Sequence, residues 1–363
     1  MPNQTPFFSI VMPAYNPREL IHRPLLSLAS QWFRDFELII VDDASTEAWE
    51  DALLDFPWLD PRVVHCETNG GCGLARRRGV EEAIGEYVLF MDSDDFLASP
   101  LTLHTLHEEI LKAGQTIDIV SSNFIELNED GSRKLHDTGD RGWVHGKVYR
   151  RQFLINRGVE FPHYRYTEDG CFNMMAFPLA DAILFCSNLE TYVWAWNPKS
   201  IVRSQDYTLL LMQNDYPMGH LHAHRRLHTF MVETEARGLP EDHPDVVVAR
   251  RIRESEGASV ISSAIFLYVY AKGVESRIKD PEDRDLINGA CRTAFCEMNV
   301  AGHINAITSM GEWVTKIQYV LVNHLPTVVN QEPSVLLDES FPAWLERVLA
   351  DGTKIKRKWD DEI

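Results

Sequence analysis

The run Asp92-Ser93-Asp94-Asp95 directly follows five apolar residues, Tyr87 to Met91 (YVLFM). Carboxylates at i and i+2 at the end of a strand can reach one ligand within a turn. Hard divalent ions prefer such oxygens, and Mg²⁺ or Mn²⁺ takes one or two carboxylates and fills its shell with substrate phosphates. The same residues would also serve a plain Asp-rich turn or helix cap. Two other runs invite a chemical reading. Asp42-Asp43 closes the apolar run FELIIV, and His220, His222, His224 and His228 crowd one segment. On a helix, His220, His224 and His228 share a face that could bind a metal, although Arg225 and Arg226 beside them suit a partly exposed helix.

The elements that must position these residues alternate. Phe8–Met12, Phe36–Val41, Arg62–Cys66 and Tyr87–Met91 read as buried strands. Arg18–Gln31, Leu74–Ile84 and Pro100–Ala113 read as helices between and after them. Strands that are continuous apolar runs, separated by helices, imply a parallel sheet covered on both faces. Ligands bind such sheets at the carboxyl ends of their strands, where Pro13 to Asn16, Asp42-Asp43 and Asp92 to Asp95 sit. Ile117–Leu127 and Ser132–Leu135, joined through Asp130-Gly131, read as a hairpin. From about residue 204 the pattern turns helical: Tyr207–Arg237, Pro244–Lys272, Asp280–Met298 and Ala306–Val322. Residues 1–204 are therefore expected to form an α/β domain and residues 205–363 a mainly helical region.

Composition bounds the function. The chain has 363 residues, 45% hydrophobic and 25% charged, with a net charge of −19. That balance disfavours the phosphate backbone of a nucleic acid as the main partner. The six cysteines are dispersed, with no CxxC pair, which suits a reduced cytoplasmic protein better than a disulfide frame or zinc site. No secretory leader and no membrane span is legible.

Three segments carry a resemblance: FSIVMPAYN, FELIIVDDAS and GGCGLARRRGVEEAIGEYVLFMDSDD. In order and spacing they resemble the nucleotide-sugar-binding half of the family 2 glycosyltransferases, inverting enzymes of the GT-A (Rossmann-like) fold used in bacterial polysaccharide synthesis. The resemblance runs over roughly residues 7–115 and more loosely to about 204. It implies that Pro13, Ala14 and Tyr15 pack on the nucleotide, that Asp43 accepts the N–H of a uracil-type base, and that Arg76 lines the pocket, pairing with Asp43 and phosphate. It places Asp92 and Ser93 near the ribose and Asp94 on the metal, with Asp92 as a second metal contact. Arg77 and Arg78 read as a solvated helix face.

An acceptor hydroxyl is a poor nucleophile until a carboxylate or His takes its proton. Tyr166-Thr167-Glu168-Asp169-Gly170 resembles the family's ED motif, which implies Asp169 as the base and Glu168 as its neighbour. Read alone, both would suit the start of a helix, where the dipole favours carboxylates. Lys147, before that motif, is implied near the cleft, and Ser200 and Arg203, after it, as diphosphate contacts. Trp194 and Trp196 could stack on a sugar or fill the core. The chain departs from the common pattern at Pro13, at Cys72 and at its third arginine, so the sugar is not legible.

The resulting expectation is a metal-dependent inverting transferase that uses Mn²⁺ or Mg²⁺ and a nucleoside-diphosphate sugar, with UDP the first choice. Its partners would be a glycan or lipid-linked acceptor, with a second copy of the chain and the membrane surface as further candidates. The basic tail Lys354–Lys358 reads first as a solvated tail and second as a contact for an anionic surface. The rival readings are an inactive nucleotide-sugar-binding module and a nucleotidyltransferase.

Overall fold

The computed structural model describes residues 5–200, 215–277 and 280–298. Contacts divide the chain into two compact units, Met1–Ser204 and Gln205–Ile363.

In the first unit the apolar runs form strands: β1 (Phe8–Ala14), β2 (Phe36–Asp42), β3 (Arg62–His65) and β4 (Tyr87–Phe90). They lie side by side as β3-β2-β1-β4, all parallel. Every residue of β1 and β4 is buried, as a strand covered on both faces requires. Helices α1 (His22–Ala29), α2 (Cys72–Glu82) and α3 (Thr102–Lys112) supply the connections. β1 runs on through Pro13, past the expected end at Met12. Its pairing with β4 stops at Val11, so the missing Pro13 N–H interrupts no bond on that side. α1 begins at His22 rather than near Arg18, because Leu20 and Ile21 first turn back onto the Pro17 carbonyl.

The short strand β5 (Phe96–Leu97), the hairpin β6 (Ile119–Leu127) and β7 (Arg133–His136), and the strands β8 (Lys147–Arg150) and β9 (Ile183–Trp194) extend the sheet. The order becomes β3-β2-β1-β4-β8-β6-β9-β5, with β7 on β6. β8 inserts antiparallel between β4 and β6, a pairing that no periodicity announced. Helices α4 (Arg151–Arg157) and α5 (Glu168–Leu179) follow β8. The α/β class with a mostly parallel sheet and flanking helices is the expected one.

α2 packs close to the sheet. A Cβ on Gly79 would stand 2.2 Å from Val11 Cγ1, so only glycine fits there. Arg77 and Arg78 face outward and pair with Glu81, Glu82 and Glu160, the solvated face expected of them.

In the second unit, α6 (Asp215–Ala236), α7 (Pro244–Arg277) and α8 (Pro281–Glu297) pack on one another. Asp280 caps α8, its carboxylate accepting the Glu282 and Asp283 amides ahead of Pro281 at the first turn. The expected helix Ala306–Val322, the tail Lys354–Lys358 and Arg203 lie outside the described residues. Among the described residues, no helix is long and apolar enough to cross a membrane.

Candidate active site

The carboxyl ends of the parallel strands gather the polar residues, and the loops there are tightly held. At the end of β2, the Asp43 carboxylate accepts two backbone amides, Gly70 at 2.8 Å and Gly71 at 2.7 Å. Gly71 adopts φ +89°, which glycine reaches without strain, and α2 starts at the next residue. The contact with Asp43 thus sets the start of α2 at Cys72, two residues before the expected Leu74. Both Asp43 oxygens keep a second lone pair, but their first task is to fasten the glycine loop. Asn16 ties the β1 loop to the β2 loop: its side-chain carbonyl accepts the Thr46 and Glu47 amides. Asn16 and Ala44 both sit at positive φ, +46° and +59°. Pro13 and Ala14 are buried at the end of β1, while Tyr15 is half exposed beyond them.

The centre of the site is Arg76, one turn into α2 and 2% exposed. Its guanidinium donates to three carboxylates that come from distant parts of the chain. Nη2 reaches Asp92 Oδ1 at 2.6 Å, and Nη1 reaches Asp169 Oδ1 at 2.6 Å and Glu168 Oε1 at 3.1 Å. The planar fork of arginine suits this task, which a point-charge ammonium could not perform. Burial works against its charge; the carboxylates, Asp169 foremost, outweigh burial and hold its pKa well above the ordinary value. The expected partner Asp43 is instead engaged by the glycine loop. Arg76 therefore joins the Asp92 turn to the Glu168-Asp169 helix start.

The Asp92 turn is anchored from several sides. Burial works to raise the Asp92 pKa, but Arg76 and His145 overcome it and hold this carboxylate well below the usual range. His145 Nε2 lies 3.4 Å from Asp92 Oδ2 and 3.8 Å from Asp95 Oδ2. The imidazole is stacked against Tyr192 with centroids 4.6 Å apart, and against Trp143 at 5.7 Å. Asp95 is fully buried and accepts the Tyr192 hydroxyl at 2.7 Å and the Ala195 amide at 2.8 Å. Burial and the neighbouring Asp94 and Asp92 charges push its pKa well up. Asp94 accepts the Asn197 amide at 2.7 Å. It forms no ion pair among the described residues, and burial with the adjacent Asp92 charge raises its pKa.

Ligand atoms of Asp92, Asp95 and His145 lie within 4.8 Å of one another. Two carboxylates and one imidazole make a donor set that could hold a hard divalent cation; Asp94, in the same turn, is not one of the three. Of that group, Asp92 is the partly open member. Asp94 is the carboxylate without a positive partner, whereas both Asp95 oxygens already carry hydrogen bonds.

At the start of α5, Thr167 holds φ +60°, an uncommon conformation for a β-branched residue. It aims Glu168 and Asp169 back at α2. Asp169 Oδ2 also accepts the Val144 amide at 3.1 Å, so both its oxygens are fixed. Burial and the Asp169 charge push the Glu168 pKa up to about 7, against the pull of Arg76.

Other expectations meet a different geometry. Lys147 does not open to the cleft: on β8, inside the sheet, it is 1% exposed, its ammonium bonded to the His145 carbonyl and lying over the Phe124 ring. Burial drops its pKa to about 8. Trp194 is core, packed on Trp143 at 4.6 Å. Trp196 instead lines a shallow cavity of about 540 Å³ with Asn128, Glu129, Asp130 and Ser132. Ser93 is partly exposed in the Asp92 turn, and Ser200 follows Asn197 in a turn beside Asp94. Among the described residues, the histidines of α6 are not part of a group that could hold a metal ion. His220 is buried against Ser263, with its pKa pushed down to about 4 by burial, while His228 is exposed. His145 and Asp95 escaped the sequence reading. Their only local signals were a fourth residue in DSDD and a His beside Gly146 ahead of an apolar strand.

Residues 9–177 match glycosyl transferase family 2. The chain is 23% identical over 312 residues to the glycosyltransferase GlyA of Streptococcus pneumoniae, covering 72% of this chain and 44% of that protein. It is 32% identical over 206 residues to a poly(ribitol-phosphate) beta-glucosyltransferase of Bacillus spizizenii, covering 51% of this chain and 31% of the relative. The chain thus spans less than half the length of either relative. Among solved structures, S. aureus TarS 1-349 in complex with UDP-GlcNAc superposes with a TM-score of 0.64 at 20% identity, covering 98% of this chain and 91% of that one. At that identity the likeness concerns the fold.

Proposed function

We propose that this chain, whose residues 9–177 match glycosyl transferase family 2, transfers a sugar, with inversion, from a UDP-linked donor to a hydroxyl of a glycan acceptor. The observation that carries this reading is the convergence on Arg76. One buried guanidinium holds the carboxylate of a strand-end DSD turn against the two carboxylates of the ED helix start. A donor-holding group and a proton-accepting group are thereby fixed side by side, as a transfer between two substrates requires.

The acceptor hydroxyl gives its proton to Asp169, whose orientation is set by Arg76 and the Val144 amide. The oxygen forms a bond to the anomeric carbon, and the bond from that carbon to the diphosphate oxygen breaks on the opposite face, its electron pair leaving with UDP. A divalent cation, Mn²⁺ or Mg²⁺, held by Asp94 with Asp92, would neutralise the charge that grows on the departing diphosphate. Asn197 and the Arg76–His145 pair keep those two carboxylates in place. The first loop, Pro13 to Tyr15, and Asp43 provide the wall for the nucleotide.

S. aureus TarS is named as a poly(ribitol-phosphate) beta-N-acetylglucosaminyltransferase, and that name with its bound UDP-GlcNAc makes UDP-N-acetylglucosamine the first donor to test, with UDP-glucose next. The experiment is a thermal-shift panel of nucleotide sugars with Mn²⁺, followed by an assay of UDP release. Stabilisation by a UDP-sugar with UDP release supports the reading, since a ligand binding only the folded state raises its melting point. Binding without turnover on a broad glycan panel would leave a binding module. Pyrophosphate release from a nucleoside triphosphate would indicate a nucleotidyltransferase.

A further inference from the structure

Glu168 is held by a set of contacts that all come from the first turn of α2. The Cys72 thiol donates to Glu168 Oε1 at 2.8 Å, and Arg76, four residues on and so on the same helix face, donates to the same oxygen at 3.1 Å. Gly73 completes the seat: a Cβ there would stand 3.0 Å from Glu168 Cγ, so the stem of Glu168 lies where a side chain would otherwise be. The other oxygen, Oε2, takes neither of these two hydrogen bonds. A carboxylate with one oxygen pinned twice by the same helix turns its other oxygen away from those contacts.

Resting on the transferase reading, we propose that Cys72 is a positioning residue for the reaction: it acts through Glu168, pinning Oε1 so that Oε2 is presented to the acceptor hydroxyl beside Asp169. The thiol is suited to the place. Burial and the Glu168 charge push its own pKa well up, so it stays protonated and remains a donor. Cys72 touches neither donor nor acceptor in this arrangement. Its loss therefore changes turnover and acceptor handling, and leaves nucleotide binding alone.

The test compares C72A and C72S by UDP release from UDP-N-acetylglucosamine with Mn²⁺, and by the affinity for UDP measured separately. C72A should lower kcat by about tenfold, the worth of one hydrogen bond to a charged group, with the UDP affinity held within about twofold. C72S, which restores a donor, should recover most of that loss. In an E168Q background, C72A should cost little more, because the two substitutions break one interaction. Turnover of C72A equal to wild type, C72S no better than C72A, or full additivity with E168Q would each overturn the proposal. If E168Q turns over too slowly to measure, the C72S rescue decides alone. A wild-type protein that turns over no nucleotide sugar would bring down the transferase reading and this proposal with it; active wild type with an indifferent Cys72 would remove the proposal only.

Discussion

Replacing Glu168 by Gln should stabilise the protein while impairing it, and the gain should grow with pH. In the folded chain the Glu168 pKa is raised from 4.5 to about 7, by burial first and then by Asp169. Below about pH 4.5 both the folded and unfolded states hold the proton, and the carboxyl costs nothing extra. Between about pH 4.5 and 7 the unfolded chain releases the proton and the folded one retains it, so wild-type stability falls as pH rises. Above about pH 7 the folded carboxyl ionises too, and the cost levels off. At 1.36 kcal/mol per pKa unit the full cost is roughly 3 kcal/mol. E168Q carries none of it. Its advantage over wild type should widen by roughly 2 kcal/mol between pH 5 and pH 8, on top of a constant offset for the altered Arg76 and Cys72 contacts. For a domain of this size that corresponds to roughly 4–8 °C in Tm. Urea or thermal melts of both proteins at half-unit steps over this range measure the difference. A gap that stays flat or narrows with rising pH would refute the argument that the fold disfavours ionisation of this carboxyl.

Other substitutions test the remaining parts. D169N should keep UDP affinity and lose transfer by about 10²-fold or more, the scale of a general base; retained turnover would exclude Asp169 from that role. D94N should abolish the extra thermal stabilisation that Mn²⁺ gives in the presence of UDP, while the protein without ligand melts no lower than wild type. R76L leaves Asp92, Glu168 and Asp169 without their cation and should cost about 3–5 kcal/mol in a urea titration; R76K should recover only part, since an ammonium has no fork to span them. G79A forces a Cβ to within 2.2 Å of Val11 Cγ1 and should cost about 1–3 kcal/mol, with a wild-type stability for this variant marking the α2–β1 packing as looser than described.

Much of the first unit was legible because its signals are local. A continuous apolar run marks a buried parallel strand, so β1, β2 and β4 could be placed to within a few residues, and the chemistry had to fall at their carboxyl ends. The Asp130-Gly131 turn announced the β6–β7 hairpin. The antiparallel β8 was not announced, because only the sheet as a whole determines which neighbour a four-residue strand takes. Lys147 illustrates the consequence. By residue type it reads as a surface cation near the cleft, and only the insertion of β8 between β4 and β6 shows it enclosed. The starts of α1 and α2 were misplaced for a related reason: each is fixed by a backbone bond to Pro17 or by a carboxylate 27 residues away in sequence, at Asp43.

The partner of Arg76 was misassigned for a more general reason. The family resemblance implies that Arg76 lines the nucleotide pocket, where a guanidinium can pair with Asp43 and with phosphate. In the fold Asp43 accepts the Gly70 and Gly71 amides, and Arg76 pairs with Asp92 and the start of α5 instead. One arginine then serves three carboxylates, and what the site gains is a fixed spacing between the residues proposed to hold the donor and those proposed to take the proton. That spacing comes at the expense of stability, through Glu168, through Thr167 in its left-handed conformation, and through the crowding of Asp92, Asp94 and Asp95 in one turn. Strain and like-charge crowding of this kind persist where the surrounding structure holds them for a task. The task therefore belongs to the whole cluster around Arg76, and any substitution that relaxes the cluster should raise stability and lower turnover together.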